Sequence, residues 1–198
     1  MACISLLCLA GCSYMNTTYQ WIGGFATGMR VTSISTDPVH LSTTYSTAVC
    51  ADDPDVEGSI WMTDIPLKDL ASGMVANGQI LHIEMLWVPR PGYTPIDFEA
   101  TNLSVRFIVI SEGEVGIYEG GGFGYPLGVP ADGSMVLNLD GVTLQLASST
   151  EGFVDLLSPA QLDGTFNGGC DQEKAILVRD ATSQLVTNAF DRTMYVWN

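Results

Sequence analysis

Between Met135 and Leu146 the chain reads MVLNLDGVTLQL, with Asp140-Gly141 set between two runs of alternating apolar and polar residues. Asp-Gly takes the positive φ angles of a two-residue type I′ turn readily, so the segment is expected to fold back on itself as an antiparallel hairpin. Folding there pairs Leu139 with Val142, Leu137 with Leu144 and Met135 with Leu146. Six apolar side chains then share one face, while Asn138, Thr143 and Gln145 occupy the other.

The rest of the chain supplies similar material. From Met29 onward, short β-like runs alternate with clusters of Gly, Pro and Asp. A second hairpin is expected from Leu103 to Tyr118 around Glu112-Gly113, with Ile110 opposite Val115 and Ile108 opposite Ile117. Both of its faces are apolar, which places it centrally in a sheet. Asn77-Gly78 introduces Gln79 to Val88, where Leu81, Ile83, Met85 and Trp87 recur at the period of a strand.

One segment departs from this pattern. In Gln172 to Phe190, the residues Val178, Ala181, Leu185 and Ala189 form a helical stripe, with Arg179, Ser183 and Gln184 turned away and Asp171 as N-cap. The sequence TMYVW, Thr193 to Trp197, reads as a closing strand. The expected fold is mainly β, an antiparallel β-sandwich or partly open barrel over residues 29–198, with one helix near the C-terminus.

Charge narrows the partners. The 198 residues carry 7 Lys plus Arg against 22 Asp plus Glu, a formal net charge of -15. Such a field repels phosphate backbones and anionic headgroups, so nucleic acid is excluded as a partner. After the N-terminus no run approaches the ~18 apolar residues that a membrane-spanning helix requires.

The N-terminal ACISLLCLA, Ala2 to Ala10, is uncharged, apolar and too short to span a bilayer, and it runs into Leu9-Ala10-Gly11-Cys12. These four residues resemble the lipobox of bacterial lipoproteins, in which the cysteine thiol is lipidated and the chain is cut just before it. The resemblance covers about a dozen residues, and no Lys or Arg precedes the apolar stretch. It implies that residues 1–11 are a signal peptide, that Cys12 carries the lipid and that residues 12–28 are a tether. With Ser13 rather than Asp after the cysteine, it favours the outer membrane or cell surface.

Candidate chemistry is sparse. Cys50 and Cys170 stand as a disulfide in an exported chain or as two separate buried thiols; a Cys170 nucleophile before the helix is a third reading. Asp53, Asp55, Glu57 and Asp64 follow a calcium-loop spacing, with Gly58 sixth and Ile60 eighth. Pro54, Glu57 at the fifth position, Asp64 in place of a bidentate Glu and Pro66 after it depart from that pattern, so Ca²⁺ stands beside an exposed acidic turn.

His82 and Glu84 project from one side of a predicted strand, either as a ligand or base with its carboxylate or as a structural pair, and His40 is the other histidine. In Glu119-Gly-Gly-Gly-Phe-Gly-Tyr-Pro126 the glycines would let a ligand approach, with Phe123 and Tyr125 as stacking surfaces, or they form a loop or bulge. None of G-x-S-x-G, S-x-x-K, H-E-x-x-H or C-x-x-C occurs. The expectation is a membrane-anchored lipoprotein with a non-enzymatic structural or binding role in the envelope. The alternative is a secreted carbohydrate-binding module or hydrolase.

Overall fold

The computed structural model describes residues 27–53, 56–90, 101–128 and 130–193. The lipobox with Cys12, all of the expected tether but its last two residues, and the closing strand beyond Thr193 lie outside these residues.

Among the described residues ten strands form one antiparallel sheet: β1 (Gly28–Ser33), β2 (His40–Thr43), β3 (Thr47–Asp53), β4 (Val56–Thr63), β5 (Gly78–Met85), β6 (Leu103–Ser111), β7 (Glu114–Gly122), β8 (Gly124–Leu127), β9 (Ser134–Ser149) and β10 (Ala160–Gly169). The order is β2-β1-β10-β9-β7-β6-β5-β4-β3, with β8 also paired to β9. Among the described residues two helices join them, α1 (Leu67–Ser72) and α2 (Gln172–Phe190). Of the two architectures expected, the partly open barrel is the one that forms, as a single curled sheet making a half-barrel.

The inner face holds the larger core. Met29, Val31, Ile60, Leu81, Ile83, Val105, Phe107, Tyr118, Leu137, Leu144, Leu162 and Phe166 belong to one buried cluster that draws on strands from β1 to β10. Each such side chain contributes about 1.5–3 kcal/mol when fully removed from water. Over this cluster the segment after β9 packs Leu157 and Phe153, held by Asp155, which accepts from the Tyr118 hydroxyl at 2.8 Å. Burial and that carboxylate both raise the Tyr118 pKa.

A second core lies on the outer face of β3 to β7. Val49, Trp61, Ile80, Ile108, Ile110, Val115 and Ile117 pack there against Ala175, Val178, Leu185 and Val186 of α2. Asp171 caps α2 as expected, accepting from the Lys174 amide at 3.0 Å. The buried stripe is rotated from the one expected: Ala175, Val178, Thr182, Leu185 and Val186 are buried, whereas Ala181 and Ala189 are only partly covered. Thr182 fits the apolar face because its hydroxyl bonds back to the Val178 carbonyl at 2.7 Å.

The hairpin expected at Asp140-Gly141 does not form. Residues Ser134 to Ser149 are one strand, paired with β10 along one edge and with β8 and then β7 along the other. Leu162 pairs with Val142 and Gly164 with Leu139, so β9 carries one extra residue opposite Asp163. Gly141 takes φ 68° there and donates its amide to Asp163 Oδ1 at 2.7 Å. The pair that suits a turn therefore makes a bulge. The bulge shifts the alternation by one residue, just as the turn would, and all six apolar residues still face the inner cluster. In contrast, the Glu112-Gly113 hairpin has the expected register, Ile108 to Ile117 and Ile110 to Val115, and sits in mid-sheet.

Next to the bulge runs the glycine-rich segment, which is strand rather than loop: Gly120, Gly121 and Gly122 belong to β7 and Gly124 to β8. The space around it is taken by neighbouring strands. A Cβ on Gly120 would overlap the Thr143 carbonyl oxygen, and one on Gly164 of β10 would overlap the Gly28 carbonyl oxygen. These close approaches bend the sheet around its contents.

The curl closes at a seam where β3 meets the end of β10. A disulfide joins Cys50 to Cys170, 120 residues apart, and the Asp171 amide donates to the Cys50 carbonyl at 2.8 Å. In the chain-entropy model a bridge of this span contributes about 3–5 kcal/mol. Inside the curl the Thr43 hydroxyl bonds the side-chain carbonyl of Gln79, tying β2 to the start of β5.

Gly120→Ala is expected to lower the unfolding free energy by about 2–3 kcal/mol, because backbone and not a movable side chain blocks the new methyl. Gly28→Ala, which meets nothing within 4 Å, should stay within about 0.5 kcal/mol. Urea denaturation of the two variants checks the contrast; equal effects would remove the bend from Gly120.

Candidate functional site

The antiparallel register brings His82 and Glu84 onto the outer face, with partners that lie far away in sequence. His82 stands opposite Trp61 on one side and Arg106 on the other, Ser59 opposite Glu84, and Arg106 opposite Glu119. The His82 ring stacks on Trp61 with centroids 3.9 Å apart, and its Nε2 lies 3.0 Å from Ser59 Oγ. Arg106 reaches Glu119 at 3.3 Å and Glu84 at 3.8 Å. The row thus grades from buried Ser59 and His82 to the half-exposed Glu119.

A serine within hydrogen-bond reach of a histidine is the first contact of a nucleophile and its base. The electrostatics oppose that use. Burial, and secondarily the Arg106 guanidinium, hold the His82 pKa well below its ordinary value, whereas base catalysis requires an imidazolium to form beside a stabilising carboxylate. Ser59 also sits in mid-strand, its neighbours Ala51 and Glu84 on β3 and β5, rather than on an exposed turn. The pair serves to satisfy a buried histidine in the sheet.

The aromatic candidates do converge. Phe123 meets Tyr125 edge to face at 4.9 Å, and Trp87, which follows β5, meets Phe123 at 5.7 Å. Tyr125 is 62% exposed. Asn102 holds the two segments together from below: fully buried, it donates to the carbonyls of Trp87 at 3.2 Å and Gly124 at 2.9 Å, and accepts from the Gly124 amide at 2.8 Å. The Trp87 indole N–H is used as well, on the Thr101 carbonyl at 3.0 Å. The rings are thus fixed at their bases and open at their edges.

The calcium-loop spacing falls on a strand. Asp53 ends β3 and pairs with Val56, whereas Asp64 follows the far end of β4, roughly 25 Å away at the rise of an extended chain. Asp64 is occupied by the Gln79 amide, which donates to Oδ1 at 2.7 Å. Asp55 lies outside the described residues, and of Glu57 only the strand position is described. Extended backbone through Val56–Thr63 separates the first and twelfth positions instead of wrapping them round an ion.

His40 is on edge strand β2, with Nδ1 3.1 Å from Thr32 Oγ1. Among the described residues no group of three or more His, Cys, Asp or Glu is placed to hold a metal ion. Cys50 and Cys170 are joined to each other, so neither presents a thiol.

Ser59, Trp61, Arg106, Glu119 and Asn102 have no local motif to reveal them; the partners of His82 follow only once strand order is known. Compared with known protein families, curated proteins and solved structures, the chain matches none.

Because the folded state holds His82 neutral while an unfolded histidine takes up a proton below pH ~6.5, the pair's stabilisation is complete above that value and is lost progressively as pH falls below it. The urea midpoint should therefore drop between pH 7.5 and pH 5, and the drop should be smaller in His82→Gln. An equal drop in both proteins would show that His82 carries none of the pH dependence.

Proposed function

We propose that the chain is an exported lipoprotein, anchored to a membrane through Cys12, whose β-rich body has a non-enzymatic structural or binding role in the cell envelope. The observation that carries this reading is the Cys50–Cys170 disulfide at the seam of the barrel. Such bonds form and persist in oxidising compartments and are rare where thiols are kept reduced, which agrees with the address read at Leu9-Ala10-Gly11-Cys12. The neutral, cation-flanked His82 beside Ser59 supports a role other than hydrolysis.

A second reading, a carbohydrate-binding module, draws on one specific observation: half-buried Trp87 and Phe123 meet exposed Tyr125 in one ring cluster. Aromatic rings of this kind offer stacking faces at low entropic cost.

Mass spectrometry of the protein from the membrane fraction of a lipoprotein-processing bacterial host tests the first reading. The expected N-terminal peptide begins at an acylated Cys12, and Cys50 and Cys170 are recovered as one linked peptide pair. An N-terminus retaining residues 1–11, or free thiols at both positions, would overturn it.

A further inference from the structure

The outer face of the sheet is divided. Helix α2 covers β3 to β7, and the face of β8, β9, β10 and β1 is open. On that open half, register aligns Tyr125 with Asn138, Asn138 with Thr165, and Thr165 with Gly28. The next row runs from Leu127 to Val136 to Asn167, whose amide and carbonyl are both bonded to Thr27 Oγ1. Neither of these two rows contains a charge; the next row of the same face, Arg30 opposite Asp163 and Asp163 beside Asp140, is charged and bounds the strip. At one edge of these rows stand Tyr125, 62% exposed, and Leu127, 57% exposed, both on the same side of β8, and beside them Phe123 and Trp87.

The far end of the same rows is where the chain enters the sheet. Gly28 lies three strands from Tyr125, about 15 Å at the usual strand spacing. A lipid on Cys12 draws the chain that leads to Thr27, and so this end of the barrel, toward the bilayer.

We propose that the strip from Trp87, Phe123, Tyr125 and Leu127 across to Gly28 is a membrane-facing surface that rests on the lipid headgroup region. The inference depends on the lipid anchor proposed above. Three features favour a lipid surface over a soluble partner. Trp87 and Tyr125 are amphipathic, each an apolar ring with a polar atom at one end, as suits the boundary between hydrocarbon and water, and Phe123 adds an apolar face. The Thr165 hydroxyl donates to Asn138 Oδ1 at 3.0 Å, so the exposed Asn138 side chain can offer its N–H groups to headgroup oxygens and water without burying an ion. Finally, a single weak contact gains from being held near the membrane by a tether, since two signals anchor where one alone is reversible.

The test uses the acylated full-length protein in phosphatidylcholine vesicles whose acyl chains carry bromine near the headgroup, a short-range quencher of tryptophan emission. The comparison is made in a Trp21→Phe background, which removes the tryptophan of the tether itself. Expected there is a loss of emission that adding Trp87→Phe reduces, and a smaller loss with Tyr125→Ser, an exposed position whose replacement leaves the core intact. Equal fractional quenching with and without Trp87→Phe in that background would overturn the inference while leaving the anchor standing, provided the mass of the same sample shows acylated Cys12. An unmodified Cys12 would remove the anchor and the inference together. A shift of Trp87 emission produced instead by soluble β-glucan in vesicle-free buffer, with no bromine effect, would assign the surface to a glycan.

Discussion

A sheet that encloses its own core has to bend, and in this protein the bend is made where side-chain atoms are missing. Gly120 on β7, Gly141 on β9 and Gly164 on β10 mark a line across neighbouring strands, and at two of the three a methyl would strike backbone. The extra residue at Asp140-Gly141 adds local twist on the same line. Everything else inherits this geometry. The inner cluster is buried only because the strands wrap it, and β3 meets β10 only because the sheet has turned far enough to bring Cys50 beside Cys170.

Much of this was legible in the residues, and the failures have physical causes. Alternation assigned the six apolar residues of Met135 to Leu146 to one face, and they share it. Local chemistry could not decide between turn and bulge, because both use a positive φ at Gly141 and both shift the alternation by one. The choice is made by β8 and β10, which pair with the two edges of β9 and hold it straight. The helix was placed correctly but its buried face was not: Thr182 looks polar in the sequence, and only its bond to the Val178 carbonyl makes it fit the core.

The candidate sites show the same limit from another side. Cys50 and Cys170 could be paired by counting, since few cysteines remain once the N-terminus is set aside. The Asp53 to Asp64 spacing suggests a loop, while Val, Ile, Trp and Thr in the same stretch favour extended backbone, and from Val56 to Thr63 that preference prevails. The neighbours of His82 come from two other strands, and Asn102 gives no signal at all: an asparagine between two strands looks like an ordinary loop residue until its three bonds are seen. The outer face divides by cover, with α2 over the apolar half and a strip edged by exposed Tyr125 on the other.

The seam carries one consequence for the life of the molecule. Cys50 and Cys170 bracket nearly all of β3 to β10, so the polypeptide between them is a covalent loop and not a thread. A protease that cuts once anywhere in that loop leaves both pieces attached to each other, and the strands on either side of the cut remain paired in the sheet. A nicked barrel of this design keeps its parts together.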